Sequence, residues 1–299
     1  MASTRPALAL SALLLGAIAI SFAPIFVKTS EVGPAATAFH RMLLSLPFFV
    51  AVHLARPRAA RRETASQRTP RTYALLMLAG GFFAGDLAVW HWSIELTSVA
   101  NATLLGNAAP IFVAIAAWAL LGETIGVRFV IGLAIAAVGT VLVVGASFGG
   151  HGSVLGDALG LVTACFYAGY VICVKLLRRS VATLDIMMWS GLTAVPILLV
   201  VALVSGESLI AMTLTGWLIL VGLALISHII GQSLIAFSLA HLAASFSSLT
   251  LLIQPVAATV LAWLILDEGL RTQQAIGGIA VLIGILLARQ RAVVRETKP

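Results

Sequence analysis

The chain has 299 residues, of which 61% are hydrophobic and only 10% are charged. A soluble domain usually carries about 25% charged residues, so this composition excludes an ordinary soluble globule. The net charge of +7 does not indicate a nucleic-acid partner. Such a partner requires a basic face on a folded domain, and the positive residues here stand between apolar runs.

Apolar runs of about 20 residues, the length that crosses a bilayer as a helix, recur about ten times along the chain. We therefore predict an all-α integral membrane protein with ten transmembrane helices. Most runs are separated by a few residues, so consecutive spans should lie side by side and antiparallel. The predicted spans are 7–27, 34–55, 73–95, 98–121, 127–146, 154–175, 184–204, 214–237, 241–266 and 272–289.

The positively charged residues predict the orientation, because cytoplasmic loops of membrane proteins are enriched in Lys and Arg. With the N-terminus inside, fifteen of the 18 Lys and Arg residues fall in cytoplasmic segments, and only Lys28 and Arg271 fall outside. The remaining one, Arg41, lies within a span. We therefore expect a multi-pass protein with both termini in the cytoplasm.

The chain also contains an internal repeat. Residues that are uncommon in apolar sequence match without a gap when the chain is shifted by 145 positions. Because each repeat has an odd number of spans, the two copies must enter the membrane from opposite sides, the inverted topology typical of transporters. We therefore divide the chain into two five-helix repeats, 1–150 and 151–299. The matched positions are Pro110 and Pro255, Trp118 and Trp263, Glu123 and Glu268, Gly132 and Gly277, and Gly139 and Gly284.

A family pattern lies within the repeat: a mid-helix proline, an apolar stretch, an acidic turn and a helix with spaced glycines. It reads Pro110…Leu121-Gly122-Glu123…Gly132…Gly139, and again Pro255…Leu266-Asp267-Glu268…Gly277…Gly284. The second copy departs from the first by having Asp267 where Gly122 stands. The pattern resembles the EamA-type drug/metabolite transporter superfamily, and the chain as a whole looks most like the YddG-type exporters of amino acids, aromatic ones included.

The resemblance implies a carrier of a bacterial inner membrane that exports small organic solutes by alternating access. Its substrates would be amino acids or related metabolites, and other metabolites or drugs are the alternative. A central cavity between the halves would be lined by the first four helices of each half, with the fifth and tenth helices peripheral. No enzymatic activity, metal or cofactor is expected. A membrane-embedded lipid-modifying enzyme and a scaffold protein are the rival classes.

Two charges fall inside predicted spans, where ionisable residues usually face a cavity or each other. Arg41 lies about 10 Å and Asp86 about 13 Å below the outer ends of adjacent spans. Their similar depth predicts an Arg41–Asp86 pair. The pair either serves gating or substrate binding, or is a fixed anchor between two helices.

Further polar residues near mid-span predict the cavity lining. Trp90 shares a helix face with Asp86, and the adjacent His91 either contacts an aromatic ring, carries a proton or bonds to a neighbour near the interface. Asn107 and Gln254 stand beside prolines, and Pro110 and Pro255 should bend their helices. The two amides either suit a zwitterionic solute or bond between helices.

The second half supplies the other candidates. Tyr167 and Tyr170 share a face of the sixth span and offer both aromatic stacking and hydroxyl groups. Lys175 either binds a substrate carboxylate or extends to the cytoplasmic surface. His228 and Gln232 share a face near mid-depth, which favours a cavity position, and His228 joins Asp86 and His91 as a candidate proton site.

Small residues recur at helical spacing in the fifth and tenth spans, namely Gly132, Ala136 and Gly139, and Gly277, Gly278 and Gly284. Such spacing allows helix backbones to approach closely. The contact would lie either within the bundle or at a homodimer face. Trp118 and Trp263, near span ends, are predicted to lie at the membrane interface.

Overall fold

The computed structural model describes residues 4–59, 68–97, 99–145, 153–266 and 271–289. Every regular element in this part of the chain is helical. A helix bonds all of its backbone polar groups internally, which hydrocarbon requires, so the apolar composition and the helical fold have the same physical cause. The apolar runs that were predicted to be spans are helical in the structure.

The helices before residue 146 form the N-terminal half of the bundle. Their ends lie close to those of the predicted spans. The helix of the third span, Pro70–Leu96, extends beyond the predicted 73–95 at both ends. These helices are α1 (Thr4–Ile20), α2 (Ala23–Thr29), α3 (Pro34–Ala55), α4 (Pro70–Leu96), α5 (Val99–Gly106), α6 (Ala109–Leu121) and α7 (Val127–Gly145).

The helices after residue 152 form the C-terminal half. Between α10 and α11 the helix widens into a π-helical segment, a rare variant that is frequent at functional sites. These elements are α8 (Val154–Leu177), α9 (Thr183–Val204), α10 (Leu214–Gly222), the π-helical segment (Leu223–Gln232), α11 (Ser233–Ser238), α12 (Ala244–Thr250), α13 (Ile253–Leu266) and α14 (Thr272–Ala288).

Nine stretches of the described residues are long and apolar enough to cross a membrane. The predicted tenth span corresponds to α14, which is also apolar but has 17 residues, at the lower end of the usual range of about 17–25. The predicted all-helical membrane protein is therefore confirmed, and the count of ten stays a prediction.

Both spans that contain the predicted bends at Pro110 and Pro255 are interrupted just before the proline, and the bends themselves stay a prediction. α5 ends at Gly106 and α6 begins at Ala109, while α12 ends at Thr250 and α13 begins at Ile253. Proline lacks a backbone donor and fits best in the first turn of a helix. It therefore marks a new helix start at both positions.

The first predicted span is interrupted as well, between α1 and α2. Pro24 lies in the first turn of α2, and the hydroxyl of Ser21 donates to the carbonyl of Ala17 at 2.8 Å. The local cause is again proline at a helix start. By contrast, Pro47 and Pro196 lie inside the 22-residue helices α3 and α9, at the same distance from each helix start.

α7 and α14 pack against each other backbone to backbone. A Cβ added to Gly132 would lie 2.5 Å from the carbonyl oxygen of Gly284, and one added to Gly139 would lie 2.6 Å from that of Gly277. The reciprocal distances, from Gly284 to Gly132 and from Gly277 to Gly139, are also 2.5 and 2.6 Å. Gly132, near the start of α7, contacts Gly284, near the end of α14, and Gly139 contacts the earlier Gly277. The two helices therefore run antiparallel, and the contact between small residues lies within the chain.

Other contacts between the halves follow the same antiparallel order. Gly85 packs against Phe166 where α4 crosses α8, and Gly16 packs against Gly231 where α1 crosses the π-helical segment. The outer surface is apolar, and Trp118 and Trp263 are 64% and 46% exposed on it. The helices thus turn apolar side chains toward lipid and bring polar ones inward.

Candidate functional site at the centre of the bundle

Polar and aromatic side chains from four spans converge at the centre of the bundle. They come from α3 and α4 in the N-terminal half and from α8 and the π-helical segment in the C-terminal half. Six of the eight were predicted from sequence, and the two phenylalanines were not. This central cluster consists of Arg41, Phe49, Phe83, Asp86, Tyr167, Tyr170, His228 and Gln232.

Phe83 is the hub of the central cluster. Its ring centroid lies 5.7 Å from the guanidinium carbon of Arg41, 4.8 Å from the Tyr170 ring and 5.6 Å from the His228 ring. A cation this close to an aromatic face is stabilised by about 0.5–2 kcal/mol. The Phe49 ring also approaches His228, at 6.0 Å, so the imidazole contacts two phenyl rings.

Several polar atoms of the central cluster are buried without a hydrogen-bond partner in the protein. They are Nε of Arg41, both ring nitrogens of His228 and Nε2 of Gln232, on residues that are 8%, 2% and 1% exposed. A buried polar atom left unpaired costs about 1–3 kcal/mol, and native interiors contain few of them. Their concentration in one place indicates a binding site for a polar ligand.

Arg41 and Asp86 are both in the central cluster, but no hydrogen bond or ion pair joins them directly. The aspartate that Arg56 and Arg68 contact is Asp185, in another part of the bundle. Asp86 and Tyr167 are partly exposed, whereas Tyr170 is only 1% exposed. The cluster is therefore closed at its centre and accessible at its margin.

Trp90 lies one helix turn after Asp86 on α4 and close to the break between α5 and α6. The indole Cδ1 of Trp90 is 3.9 Å from the position that a Cβ on Gly106 would take, and Asn107 follows Gly106 at the break between α5 and α6. The amide of Asn107 donates to the carbonyl of Thr103 at 2.9 Å. The side chain of His91 lies outside the part of the chain that the structure describes.

Gln254 and Lys175 have other surroundings. Gln254 is the second residue of α13 and is half-buried. The ammonium of Lys175 donates to the carbonyls of Leu239 and Leu242 at 2.9 and 2.6 Å. Its charge therefore fastens α8 to the backbone that follows α11.

An ionic junction joins the two halves at one end of the bundle, and the sequence reading did not anticipate it. Asp185, at the start of α9, is 1% exposed and accepts hydrogen bonds from Arg56 at 2.9 Å and Arg68 at 2.8 Å. His53 Nδ1 lies 3.1 Å from the other carboxylate oxygen. We call these four residues the Asp185 junction.

The opposite end has a junction built from glutamates and backbone amides. Glu207 accepts from the amides of Ala35 and Ala36 at 3.3 and 2.7 Å, at the start of α3. Glu31 accepts from the hydroxyl and amide of Thr213, at the start of α10. Carboxylates suit the positive end of a helix dipole, and these hydrogen bonds, first that of the Thr213 hydroxyl, hold the pKa of Glu31 below its ordinary value.

Glu123, from the repeated acidic turn, makes a third connection. Gly122 ends α6 in the left-handed region with φ of 68°, a conformation that glycine adopts readily. The Glu123 carboxylate then accepts from the amide of Ala244 at 2.7 Å and from the hydroxyl of Ser245 at 2.6 Å. It caps α12 of the other half, and its repeat equivalent Glu268 lies outside the described residues.

The sequence reading missed these acidic residues because it counted only positive charges in the loops. Glu31, Glu207 and Asp185 each stand at the edge of an apolar span, which is a signal that could have been used. The described residues contain no group of three or more His, Cys, Asp or Glu side chains that could hold a metal ion.

Comparison with known proteins decides the family. Residues 7–145 and residues 154–290 each match the model of the EamA-like transporter family. The chain belongs to this family. The EamA matches coincide with the N-terminal and C-terminal halves of the bundle, so this EamA-family protein is a membrane transporter with two repeats. The sequence-based resemblance to the superfamily is confirmed, and the narrower resemblance to YddG-type exporters stays a prediction.

The fold of this EamA-family protein is also found in a solved structure. It is the crystal structure of a protein that shares 18% sequence identity with this chain. The match covers 98% of this chain and 99% of that protein's chain, with a TM-score of 0.77. At this identity the likeness shows the fold alone. No curated protein matches the chain.

Proposed function

We propose that the protein is a secondary transporter of a bacterial inner membrane that exports amino acids, including aromatic ones. The observation that carries this proposal is the central cluster. Unpartnered polar atoms of Arg41, His228 and Gln232 stand beside aromatic faces at the junction of the two halves. A small solute that is polar at one end and flat and apolar at the other matches these two kinds of surface.

The proposed mechanism is alternating access between inverted repeats. The antiparallel glycine contacts, from Gly132 to Gly284 and from Gly139 to Gly277, support a pseudo-two-fold axis in the membrane plane. An axis of this kind relates an inward-open to an outward-open arrangement of the same two bundles. Rocking of one half against the other would then expose the central cluster to each side in turn.

The two end junctions are the proposed gates. Arg-rich segments lie on the cytoplasmic side of membrane proteins, which supports a cytoplasmic position for the Asp185 junction and a periplasmic position for the Glu31 and Glu207 contacts. Opening toward the cytoplasm requires separation of Asp185 from Arg56 and Arg68. Opening toward the periplasm requires release of Glu207 from the start of α3.

Transport of labelled phenylalanine by the purified protein in liposomes tests the proposal. Tyr170→Ala should lower the initial rate at least about tenfold, since it removes the ring against which Phe83 packs in the central cluster and about 1.4 kcal/mol corresponds to this factor. Tyr73→Ala is the matched control, because Tyr73 packs on Trp189 with ring centroids 5.2 Å apart, away from the cluster. A wild-type protein that moves no amino acid would contradict the proposal.

The same liposomes separate facilitated diffusion from proton antiport. In antiport a pH gradient drives accumulation of the amino acid, and in facilitated diffusion it has no effect. Asp86, His91 and His228 are the candidate proton sites. If the gradient drives transport, the variant that loses this response while it keeps exchange of amino acid identifies the site.

A further inference from the structure

Arg41 is buried and Asp86 is partly exposed in the central cluster, and no hydrogen bond or ion pair joins their charges. Opposite charges in a protein interior usually form direct ion pairs, because each unpaired charge bears a desolvation cost. The guanidinium carbon of Arg41 lies 5.7 Å from the ring of Phe83, and Asp86 follows Phe83 by three residues on the same face of α4. Nε of Arg41 has no hydrogen-bond partner. The arrangement leaves a cation and an anion of one cluster available to a third group.

The unpartnered atoms around Arg41 are mostly donors. The guanidinium of Arg41 can only donate, and a neutral imidazole such as His228 adds one donor and one acceptor. Donors without partners match a carboxylate, which offers two acceptor oxygens and binds arginine strongly. The donor side of the cluster is therefore suited to a carboxylate, and Asp86 is suited to an ammonium group.

The apolar walls lie beside these polar groups. The rings of Phe49 and Phe83 lie 6.0 and 5.6 Å from His228, and the rings of Tyr167 and Tyr170 are 6.1 Å apart. Aromatic rings prefer tilted or edge-to-face neighbours at such distances. A flat side chain attached to a charged head would find both parts of its surface matched.

We infer that Arg41 and Asp86 determine specificity by binding the two charges of a zwitterionic amino acid, Arg41 its α-carboxylate and Asp86 its α-ammonium. The inference rests on the proposed amino-acid transport and adds that a substrate must carry both charges. A site built to bond a charged group rejects the analogue that lacks the group, since its own buried partner is then left unpaired. The amine and the acid derived from phenylalanine should both be poor ligands.

Competition against labelled phenylalanine in liposomes tests whether both charges are required. The competitors are phenylalanine itself, phenylethylamine, which lacks the carboxylate, and 3-phenylpropionate, which lacks the ammonium. For the wild type, half-inhibition by phenylalanine should need at least about tenfold less ligand than half-inhibition by either analogue. Analogues that compete as well as phenylalanine would overturn the inference while leaving amino-acid transport intact.

The variants assign the two charges. Arg41→Gln should abolish the preference for phenylalanine over the amine, and Asp86→Asn should abolish the preference over the acid. Arg178→Gln is the matched control and should keep both preferences, because the Arg178 guanidinium bonds to the carbonyl of Val181 away from the cluster. Equal weakening of all three ligands by Arg41→Gln and Asp86→Asn would overturn the inference.

A second measurement covers variants that bind but do not transport. Ligand that binds the folded protein raises its thermal midpoint in detergent, so the three competitors can be ranked without turnover. Arg41→Lys and Asp86→Glu keep the charges and should keep the wild-type order of ligands. Absence of phenylalanine transport and of stabilisation in the wild type would instead reject the proposed function.

Discussion

The two halves of the protein share a scaffold and differ in the chemistry attached to it. The break between α5 and α6 in the first half corresponds to the break between α12 and α13 in the second. Pro47 in α3 and Pro196 in α9 also lie at the same distance from the start of their helices. The charged groups of the central cluster, Arg41 and Asp86, come from the N-terminal half. The C-terminal half contributes tyrosines, a histidine and a glutamine instead.

The end junctions show the same contrast. The segment between α9 and α10 presents Glu207 to the amides at the start of α3, whereas the segment between α3 and α4 presents Arg68 to Asp185 in α9. The two junctions join corresponding pairs of elements but have opposite polarity. The two copies thus share their backbone packing, and their side chains differ at the two ends of the bundle.

The largest expected effect comes from breaking the ionic junction. Asp185→Asn should lower the free energy of unfolding by about 3 kcal/mol, because it leaves the buried guanidinium of Arg68 without a counter-charge. Unfolding of the purified protein in mixed micelles measures the loss. Glu207→Gln should cost about 1 kcal/mol, since an amide oxygen can still accept from backbone N–H groups. Equal losses for the two variants would show that pairing with charged side chains does not make the Asp185 contact stronger than the contact of Glu207 with backbone amides.

A pair of matched substitutions tests the shared scaffold. Gly139→Ala and Gly277→Ala should each cost about 1–3 kcal/mol, because the added Cβ overpacks the α7–α14 contact from opposite sides. Thermal midpoints of the two variants should fall by similar amounts. Gly81→Ala is the control, since a Cβ there meets nothing within 4 Å and should be neutral or stabilising. Damage from only one of the pair would break the equivalence of the halves.

The repeated acidic turn gives a smaller effect. Glu123→Ala removes the cap of α12 and should cost about 1 kcal/mol, a usual value for a lost helix cap. If Glu268 caps α5 in the same way, Glu268→Ala should cost as much. Urea or detergent titration of both variants measures this. A neutral Glu268→Ala would show that the acidic turn has different roles in the two copies.

The smallest effect concerns the exposed Glu31. Hydrogen bonds with Thr213 lower the pKa of Glu31 in the folded protein. A lowered folded pKa stabilises the protein above the unfolded pKa, near about 4.3 for Glu, and this contribution is lost as the pH falls through the folded value. The thermal midpoint of Glu31→Gln should therefore approach that of the wild type as the pH falls below about 4. A constant difference at all pH values would contradict this linkage.

Much of the central cluster could be predicted because polar residues inside apolar spans are rare and costly. Arg41, Asp86, Tyr170 and His228 were identified on that ground, and the structure brings them together. Phe83 could not be identified, because one phenylalanine in an apolar span looks like any other in sequence. Its position at the hub depends on how α4 rotates against α8.

Sequence alone determined the membrane class, the helical fold and the repeat, because hydrocarbon requires long apolar helices and because Pro110 and Pro255, or Glu123 and Glu268, keep their spacing after duplication. Only the tertiary structure decided which charges meet. Asp185 and Arg68 are far apart in the chain, and no local pattern links them. Long-range pairing depends on helix packing angles and rotations, which are set by many weak contacts at once and leave no periodic trace in the sequence.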